Sequence, residues 1–179
     1  MDFPSHIASS GMDRALRLAR AAGRRGEIPV GAVVLREGEI LGAAGNRSVA
    51  AHDPTGHAEI AALRQAARRV GNYRLTGSIL VVTLEPCLMC LGAMVHARIG
   101  ALVYGASDPK IGAVASLATP ALANLNHRFS VHGGVRDGEC AALLRDFFQA
   151  RRHPGAPSRA AATNRTRMTN ARGVATVRA

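Results

Sequence analysis

The strongest constraint on the fold is a continuous apolar run at residues 78–84, close to the middle of the chain. An apolar run of this length without polar alternation is typical of a strand that is buried on both faces. Pro86 follows almost directly, and since proline favours the opening of a helix, we expect a helix from there to about Arg98. These residues therefore predict the central strand of a sheet and the helix that comes after it.

Shorter patterns predict the remaining elements. Two β-like runs flank a turn at 36–38, which indicates an antiparallel hairpin. In chain order, the other predicted elements are a helix with Ser9 or Ser10 as its cap and Gly23 at its end, strands at 30–36 and 39–46, a helix at 58–70, short strands at 101–104 and 128–132 with a loop at 106–127 that holds a helical piece around 114–122, and a helix at 137–152. This order implies a mixed sheet with helices on both faces.

Positive charge is concentrated at the end of the chain. The net charge is +11, and residues 151–179 hold seven arginines and no acidic residue. Arginine grips phosphate through paired hydrogen bonds, so this balance favours a phosphate-bearing partner, while solvated surface charge is an equally good explanation. Residues 154–179 carry too few large apolar groups to build a core. We therefore predict one folded domain at 1–153, followed by a disordered, arginine-rich tail at 154–179.

Length and cysteine content bound the class of protein. The 179 residues suit one domain, and no apolar run approaches the length that crosses a bilayer. Arg14, Arg17 and Arg20 interrupt the first helix, so we expect no signal peptide. Three cysteines, two of them in one short motif, do not form a disulfide framework. We therefore expect a cytoplasmic protein that does not bind membranes.

Two short segments carry candidate metal ligands: His57 in the first, and Cys87 and Cys90, just after Pro86, in the second. Two cysteines three positions apart at a helix opening place both sulfurs over the first turn, where free backbone N–H groups stabilise thiolates. His57 lies at the opening of the preceding helix, so both helix N-termini can meet at one point. Zinc prefers such ligands, and three of them leave the fourth position for water, as in catalytic sites.

Glu59 is the candidate proton carrier of this site. On a regular helix the side chains of His57 and Glu59 would diverge by about 200°, so both can reach one site only if His57 precedes the first helical turn. A carboxylate beside a zinc-activated water can accept its proton and pass it on. The residues therefore indicate hydrolysis, with His57, Cys87 and Cys90 as metal ligands and Glu59 as the catalytic group.

The residues alone leave other interpretations open. A Cys-x-x-Cys motif can be redox-active, although a redox pair does not predict the His-x-Glu upstream. A closed structural zinc would take Cys140 or His96 as its fourth ligand, although Cys140 also suits a small apolar position on the last helix. The side chain of Glu85 faces either the site or the solvent.

The pattern His-x-Glu followed by Pro-Cys-x-x-Cys is the known signature of the zinc-dependent deaminases. Beyond this signature, the chain resembles the TadA family of bacterial tRNA-specific adenosine deaminases over about residues 8–153. The resemblance lies in the segments 52–60, 72–75, 83–90, 92–94, 98–100, 126–128 and 139–144.

The resemblance implies a three-layer α/β/α fold of the cytidine-deaminase kind, with a mixed five-stranded sheet. It also implies one Zn²⁺ per subunit, no organic cofactor and a homodimer. The implied reaction is the hydrolytic conversion of adenosine to inosine at wobble position 34 of tRNA, with the anticodon stem-loop as the partner. The residues that this assigns to the RNA are Asn46 on the target base, Ile28, Pro29, Val30 and Leu84 around the base, Asp108 beside the RNA backbone, and Arg151 and Arg152 on phosphates.

Two departures from the family pattern lie near these residues. Gly56 replaces the alanine expected before the metal-binding histidine, and Ile111 replaces a small polar residue after Lys110. The second departure predicts a changed loop around Asp108. Two other functions remain as alternatives: the same chemistry on free guanine, cytosine or a cytidine nucleotide, and a zinc module that only binds nucleic acid. Glu59 argues against the second, because a structural site has no use for a carboxylate beside it.

Overall fold

Helices and strands follow one another in the order that the sequence predicts. The structure is a computed structural model that describes residues 5–116 and 125–152. Its elements are α1 (Ser5–Arg24), β1 (Gly31–Arg36), β2 (Glu39–Gly45), α2 (Ala58–Val70), β3 (Ile79–Leu84), α3 (Leu88–Ala97), β4 (Ala101–Ala106), β5 (Ser130–His132) and α4 (Asp137–Arg152). The predicted tail and most of the predicted helical piece at 114–122 lie outside the described residues.

The five strands form one mixed sheet with the order β2-β1-β3-β4-β5. Strand β1 pairs antiparallel with β2 and with β3, whereas β3, β4 and β5 run parallel. Strand β3 therefore lies in the centre, as its unbroken apolar run predicts. The start of β1 and the ends of β2 and β3 lie at the same edge of the sheet.

Helices cover both faces of the sheet, because alternate strand residues point to opposite sides. Val34, Leu80, Val82 and Leu102 pack against the apolar faces of α2 and α3. Val33, Val81 and Val103 pack on the other side, against α1 and the first turn of α4; the helical residues of that cluster include Met12, Leu16 and Cys140. The predicted α/β/α layering with a five-stranded mixed sheet is therefore confirmed.

The hairpin of β1 and β2 is held tightly between helices. Glu37 and Gly38 at its tip have φ values of 55° and 82°, as a two-residue turn of the I′ type requires. A side chain at Gly31 would overlap the backbone oxygen of Ala15 in α1, and one at Gly42 would overlap that of Ala62 in α2. Both helices therefore approach the sheet to backbone contact.

Helix α1 begins earlier than predicted. Ser9 and Ser10 were expected to cap it, yet both lie inside the helix and are exposed. Ala8 is buried and continues the apolar stripe of Met12 and Leu16 one turn further toward the N-terminus, and this burial outweighs the serine signal. The helix also runs past Gly23 to Arg24.

The chain divides after Leu144 into two compact units, residues 1–144 and 145–179. The end of α4, residues 145–152, belongs to the second unit. The predicted domain boundary at 153 stays a prediction. None of the described helices is long and apolar enough to span a membrane.

Candidate active site and metal centre

The candidate ligands lie at the openings of two helices. His57 is the N-cap of α2, with φ −74° and ψ 149°, and Cys87 is the N-cap of α3, with φ −75° and ψ 173°. Neither side chain caps its own helix, so both remain available for a ligand. Because His57 is extended and not helical, the divergence expected between it and Glu59 on a regular helix does not apply.

The donor atoms of His57, Cys87 and Cys90 lie close together. The His57 Nδ1 atom is 3.7 Å from the Cys87 Sγ atom and 3.5 Å from the Cys90 Sγ atom. The donor atoms of all three residues lie within 4.8 Å of one another. Tetrahedral zinc holds sulfur and nitrogen ligands about 3.6 Å apart, given its usual bond lengths. The spacing and the donor chemistry therefore both fit zinc.

Electrostatics within the ligand group also suits a cation. Hydrogen bonds from Cys90 and from His57 lower the pKa of the Cys87 thiol to about 4. The hydrogen bond to Cys87 raises the pKa of Cys90 and that of His57 above their usual values. Cys87 is therefore a thiolate, and Cys90 and His57 hold protons that they share with it. Zinc would displace these protons, because it binds thiolate and neutral imidazole.

Glu59 lies in the first turn of α2 and is only 4% exposed. None of the described residues forms a hydrogen bond with its Oε2 atom. Burial raises the pKa of this carboxyl above its usual value, an effect that outweighs the attraction of His57. A buried carboxyl with a free oxygen and a raised pKa is suited to take up and release protons.

Asn46 caps helix α2 from a distance. Its Oδ1 atom accepts a hydrogen bond of 2.8 Å from the backbone N–H of Ala58, which His57 leaves without a side-chain cap. Among the described residues, none accepts a hydrogen bond from the Nδ2 group of Asn46, which therefore remains as a donor. Sequence analysis assigned Asn46 to the substrate and missed this structural contact.

The residues predicted around the base lie at the same edge of the sheet. Val30 is buried directly before β1, and its carbonyl accepts a 3.1 Å hydrogen bond from the N–H of Asn46. Thr83, next to the half-buried Leu84, holds the start of β1 through a 3.2 Å bond from the N–H of Gly31. Pro29 is buried and Ile28 is exposed. The fold thus brings these candidates to the strand ends beside Asn46.

Glu85 is a residue whose role the sequence left open. It is 2% exposed and accepts hydrogen bonds from the backbone N–H groups of Asp108, Val114, Ala115 and Ser116, and from the Ser116 hydroxyl. Burial raises the pKa of its carboxyl, but these hydrogen bonds outweigh it and lower the pKa to about 2. Glu85 therefore faces neither solvent nor an empty site; it organises the loop at 108–116.

Asp108 takes part in a turn of that loop. Its Oδ1 atom accepts bonds of 3.0 Å and 3.3 Å from the N–H groups of Lys110 and Ile111. Ile111, which departs from the family pattern, is 56% exposed. It therefore contributes its backbone to the turn and its side chain to the surface. The role of Asp108 toward RNA stays a prediction.

Arg151 and Arg152 lie in the exposed last turn of α4. The Arg151 guanidinium stacks on the Phe147 ring, 4.6 Å from its centroid. Both arginines belong to the second compact unit. Their contact with phosphate stays a prediction.

The alternative of a closed structural zinc finds no support in the described residues. Cys140 is buried on the opposite face of the sheet, where its Sγ atom lies 3.8 Å from the Met12 Sδ atom. His96 is exposed in the last turn of α3, whereas Cys87 lies at the other end of that helix. Neither residue belongs to the group of metal-binding side chains.

Three zinc-type ligands beside a buried carboxyl with one free oxygen define a class of protein, the hydrolytic zinc proteins. The model of the cytidine and deoxycytidylate deaminase zinc-binding region matches residues 6–106, more than half of the chain. The chain belongs to this family of zinc-binding deaminases. The predicted zinc cofactor and the predicted family are thereby confirmed.

Two relatives of this chain have names that refer to tRNA. The tRNA-specific adenosine deaminase of Haemophilus influenzae is 50% identical over 143 residues, which cover 79% of this chain and 83% of that protein. The tRNA(Ile)-lysidine synthase of Deinococcus radiodurans is 49% identical over 149 residues, and the match covers 83% of this chain but only 26% of that protein. The chain thus spans about a quarter of that relative's length.

A solved structure from studies of A-to-I editing by tRNA:A34 deaminases at the wobble position of transfer RNA has a similar fold. Its TM-score is 0.72 and its sequence identity 44%, and the match covers 76% of this chain and 99% of that chain.

Proposed function

We propose that this chain deaminates adenosine to inosine at wobble position 34 of tRNA and releases ammonia. The observation that carries the proposal is the buried Glu59 carboxyl, with a free oxygen, next to His57, Cys87 and Cys90. The substrate is supported by the relative and the solved structure that bear the tRNA adenosine deaminase name at 50% and 44% identity.

The chemistry divides between the metal and the protein. Zinc, when held by His57, Cys87 and Cys90, supplies the Lewis acidity that makes water a nucleophile near neutral pH. Glu59 accepts one proton from the attacking water and delivers it to N1 of the purine. It then takes the second proton from the hydroxyl group now on C6 and passes it to the exocyclic amine, so that the C6–N bond breaks, ammonia leaves and the oxygen stays on C6 as a carbonyl.

Selection of the base falls to the residues at the sheet edge. The Nδ2 group of Asn46 is a donor for an acceptor on the edge of the base, because its Oδ1 atom already holds Ala58. Ile28, Pro29, Val30 and Leu84 form apolar walls around the base. An anticodon loop allows the adenosine to leave the stack at little cost, which suits a pocket of this kind.

Contacts beyond the base belong to the loop and to the C-terminal part. Asp108 accepts a hydrogen bond from a ribose 2′-OH, which would also discriminate RNA from DNA. Arg151 and Arg152 contact phosphates, and the arginines of 154–179 add diffuse attraction that depends on salt. We also propose that the protein is a cytoplasmic homodimer, an assignment supported by the family resemblance.

The test is inosine formation in an anticodon stem-loop that carries adenosine at position 34. The matched control is the same stem-loop with adenosine moved to position 35, and free adenosine, guanine and cytidine complete the set. We expect inosine only at position 34, and slow ammonia release from the free compounds. Rapid deamination of guanine or cytidine without inosine in RNA would move the chain to small-molecule chemistry. RNA binding by the zinc-loaded protein without any deamination would show a silent binding module.

A further inference from the structure

Glu85 closes a loop of the chain with one side chain. Its Oε2 atom accepts hydrogen bonds from the N–H of Asp108, at 3.0 Å, and from the Ser116 hydroxyl. Its Oε1 atom accepts the N–H groups of Val114, Ala115 and Ser116 at 3.1, 2.8 and 2.9 Å. The carboxylate therefore binds the first and the last residue of the 108–116 loop.

The same loop lies directly against residues 85–87, a segment that ends at the metal ligand Cys87. Gly112 forms an antiparallel β-bridge with Cys87, and the Ala113 N–H donates a 2.9 Å hydrogen bond to the carbonyl of Pro86. A side chain at Gly112 would overlap the carboxylate of Glu85, so no other residue fits between them. The loop is thus fixed to residues 85–87 at its ends and in its middle.

Backbone N–H groups and the Ser116 hydroxyl surround the charge of Glu85. Within the described part of the chain, no cationic side chain forms an ion pair with it. Backbone N–H groups that converge on one anion form charge-assisted hydrogen bonds, which are about twice as strong as neutral ones. Such a carboxylate specifies the loop conformation, since a neutral amide would turn one acceptor into a donor that faces N–H groups.

We propose that Glu85 is a positioning residue that fixes the 108–116 loop on the metal-ligand segment and thereby places Asp108 toward the substrate. The second half of this proposal rests on the proposed function, in which Asp108 contacts the RNA backbone. Glu85 is fully engaged with the protein, so it acts through the loop and touches neither substrate nor metal.

The first experiment is hydrogen exchange on the zinc-loaded protein with Glu85→Gln. We expect the amides of Asp108 and of residues 114–116 to exchange about tenfold faster or more, while zinc content stays stoichiometric. The matched control is Glu27→Gln, because Glu27 is an equally buried carboxylate that binds the N–H groups of Val49 and Ala50. That variant should loosen residues 49–50 and leave the 108–116 loop unchanged.

The second experiment is a kinetic cycle with the stem-loop. Glu85→Gln should raise KM about tenfold with a smaller change in kcat, and it should have little further effect when Asp108→Ala is already present. Equal effects in both backgrounds, unchanged exchange in the loop, or loss of zinc in proportion to activity would each overturn the proposal. Failure of the parent to form inosine would refute the proposed function only, because the exchange experiment still tests the loop.

A milder variant covers the case in which Glu85→Gln does not fold. Ser116→Ala removes one hydrogen bond to the carboxylate and leaves the others in place. It should speed exchange at residues 114–116 and raise KM about threefold. Normal hydrogen exchange and a normal KM in this variant would contradict the positioning role of Glu85.

Discussion

Replacing Glu59 with glutamine should separate metal binding from catalysis. The variant keeps His57, Cys87 and Cys90, so it should bind zinc with unchanged stoichiometry. It lacks the proton carrier, and general acid–base catalysis contributes about 10²–10⁴-fold to the rate, more when one residue serves several proton transfers. We expect single-turnover inosine formation to fall by at least that factor. Metal analysis and single-turnover rates measure the two properties on the same sample.

The same substitution should make the metal-free protein more stable. Burial raises the pKa of Glu59 in the folded chain above its usual value of 4.5. The folded parent therefore holds the proton more tightly than the unfolded chain, and this contribution to stability is complete below pH 4.5. It is lost as the pH rises through the folded-state pKa, at up to about 1.4 kcal/mol for each unit by which the pKa is raised. Glutamine does not titrate, so it loses nothing over this interval.

Thermal unfolding of the two chelator-treated proteins between pH 4 and pH 8 tests the stability argument. The difference in Tm between Glu59→Gln and the parent should grow as the pH rises and then level off. Glu139→Gln is a suitable control, because the side chain of Glu139 is 36% exposed and its pKa is lowered by Arg136 and by Arg20. That variant should become less stable than the parent as the pH rises.

For the catalytic prediction, a Glu59→Gln variant that keeps turnover within tenfold of the parent would refute the role of Glu59 as proton carrier.

Three further outcomes are expected. Asn46→Ala should lose base recognition and about 1 kcal/mol of stability, whereas Asn46→Asp should lose recognition but keep the acceptor for Ala58 and hence the Tm. Arg151→Ala combined with Arg152→Ala should raise KM for the stem-loop more than it lowers kcat, as measured by steady-state kinetics. Removal of residues 154–179 should leave the Tm unchanged and weaken RNA binding modestly, with a smaller salt dependence in binding titrations at two salt concentrations; a large fall in Tm would show that these residues dock on the domain.

The metal ligands could be predicted because their pattern is local. Cys87 and Cys90 lie one helical turn apart, and both sequence segments stand at predicted helix openings, so their meeting point followed from the chemistry of helix N-termini. The central strand was equally clear, since an apolar run buried on both faces needs no partner to be recognised. These features depend on residue type at short spacing.

The contacts of Glu85 with the 108–116 loop and of Asn46 with the opening of α2 could not be predicted in the same way. The partners of Glu85 are mainly backbone N–H groups 23 to 31 positions later, and a backbone N–H leaves no mark on the residue type. Asn46 and Ala58 are 12 positions apart, and alanine gives no sign of needing a cap. The predicted start of α1 was wrong for a related reason. Ser9 and Ser10 carry a cap signal, but the helix begins at Ser5 because Ala8 is buried.

Gly42 allows helix α2 to lie directly against strand β2, at the backbone of Ala62. A methyl group at this position would push the helix outward, and the helix would carry His57 and Glu59 at its opening with it. A metal site tolerates errors of only about 0.2 Å in its metal–ligand distances. A shift of the helix by more than this would therefore disturb the site. A harmless-looking strand substitution that contacts neither metal nor RNA would thus first lower the affinity for zinc. We expect a variant with a larger residue at Gly42 to lose zinc at low metal concentration and to regain it when zinc is in excess.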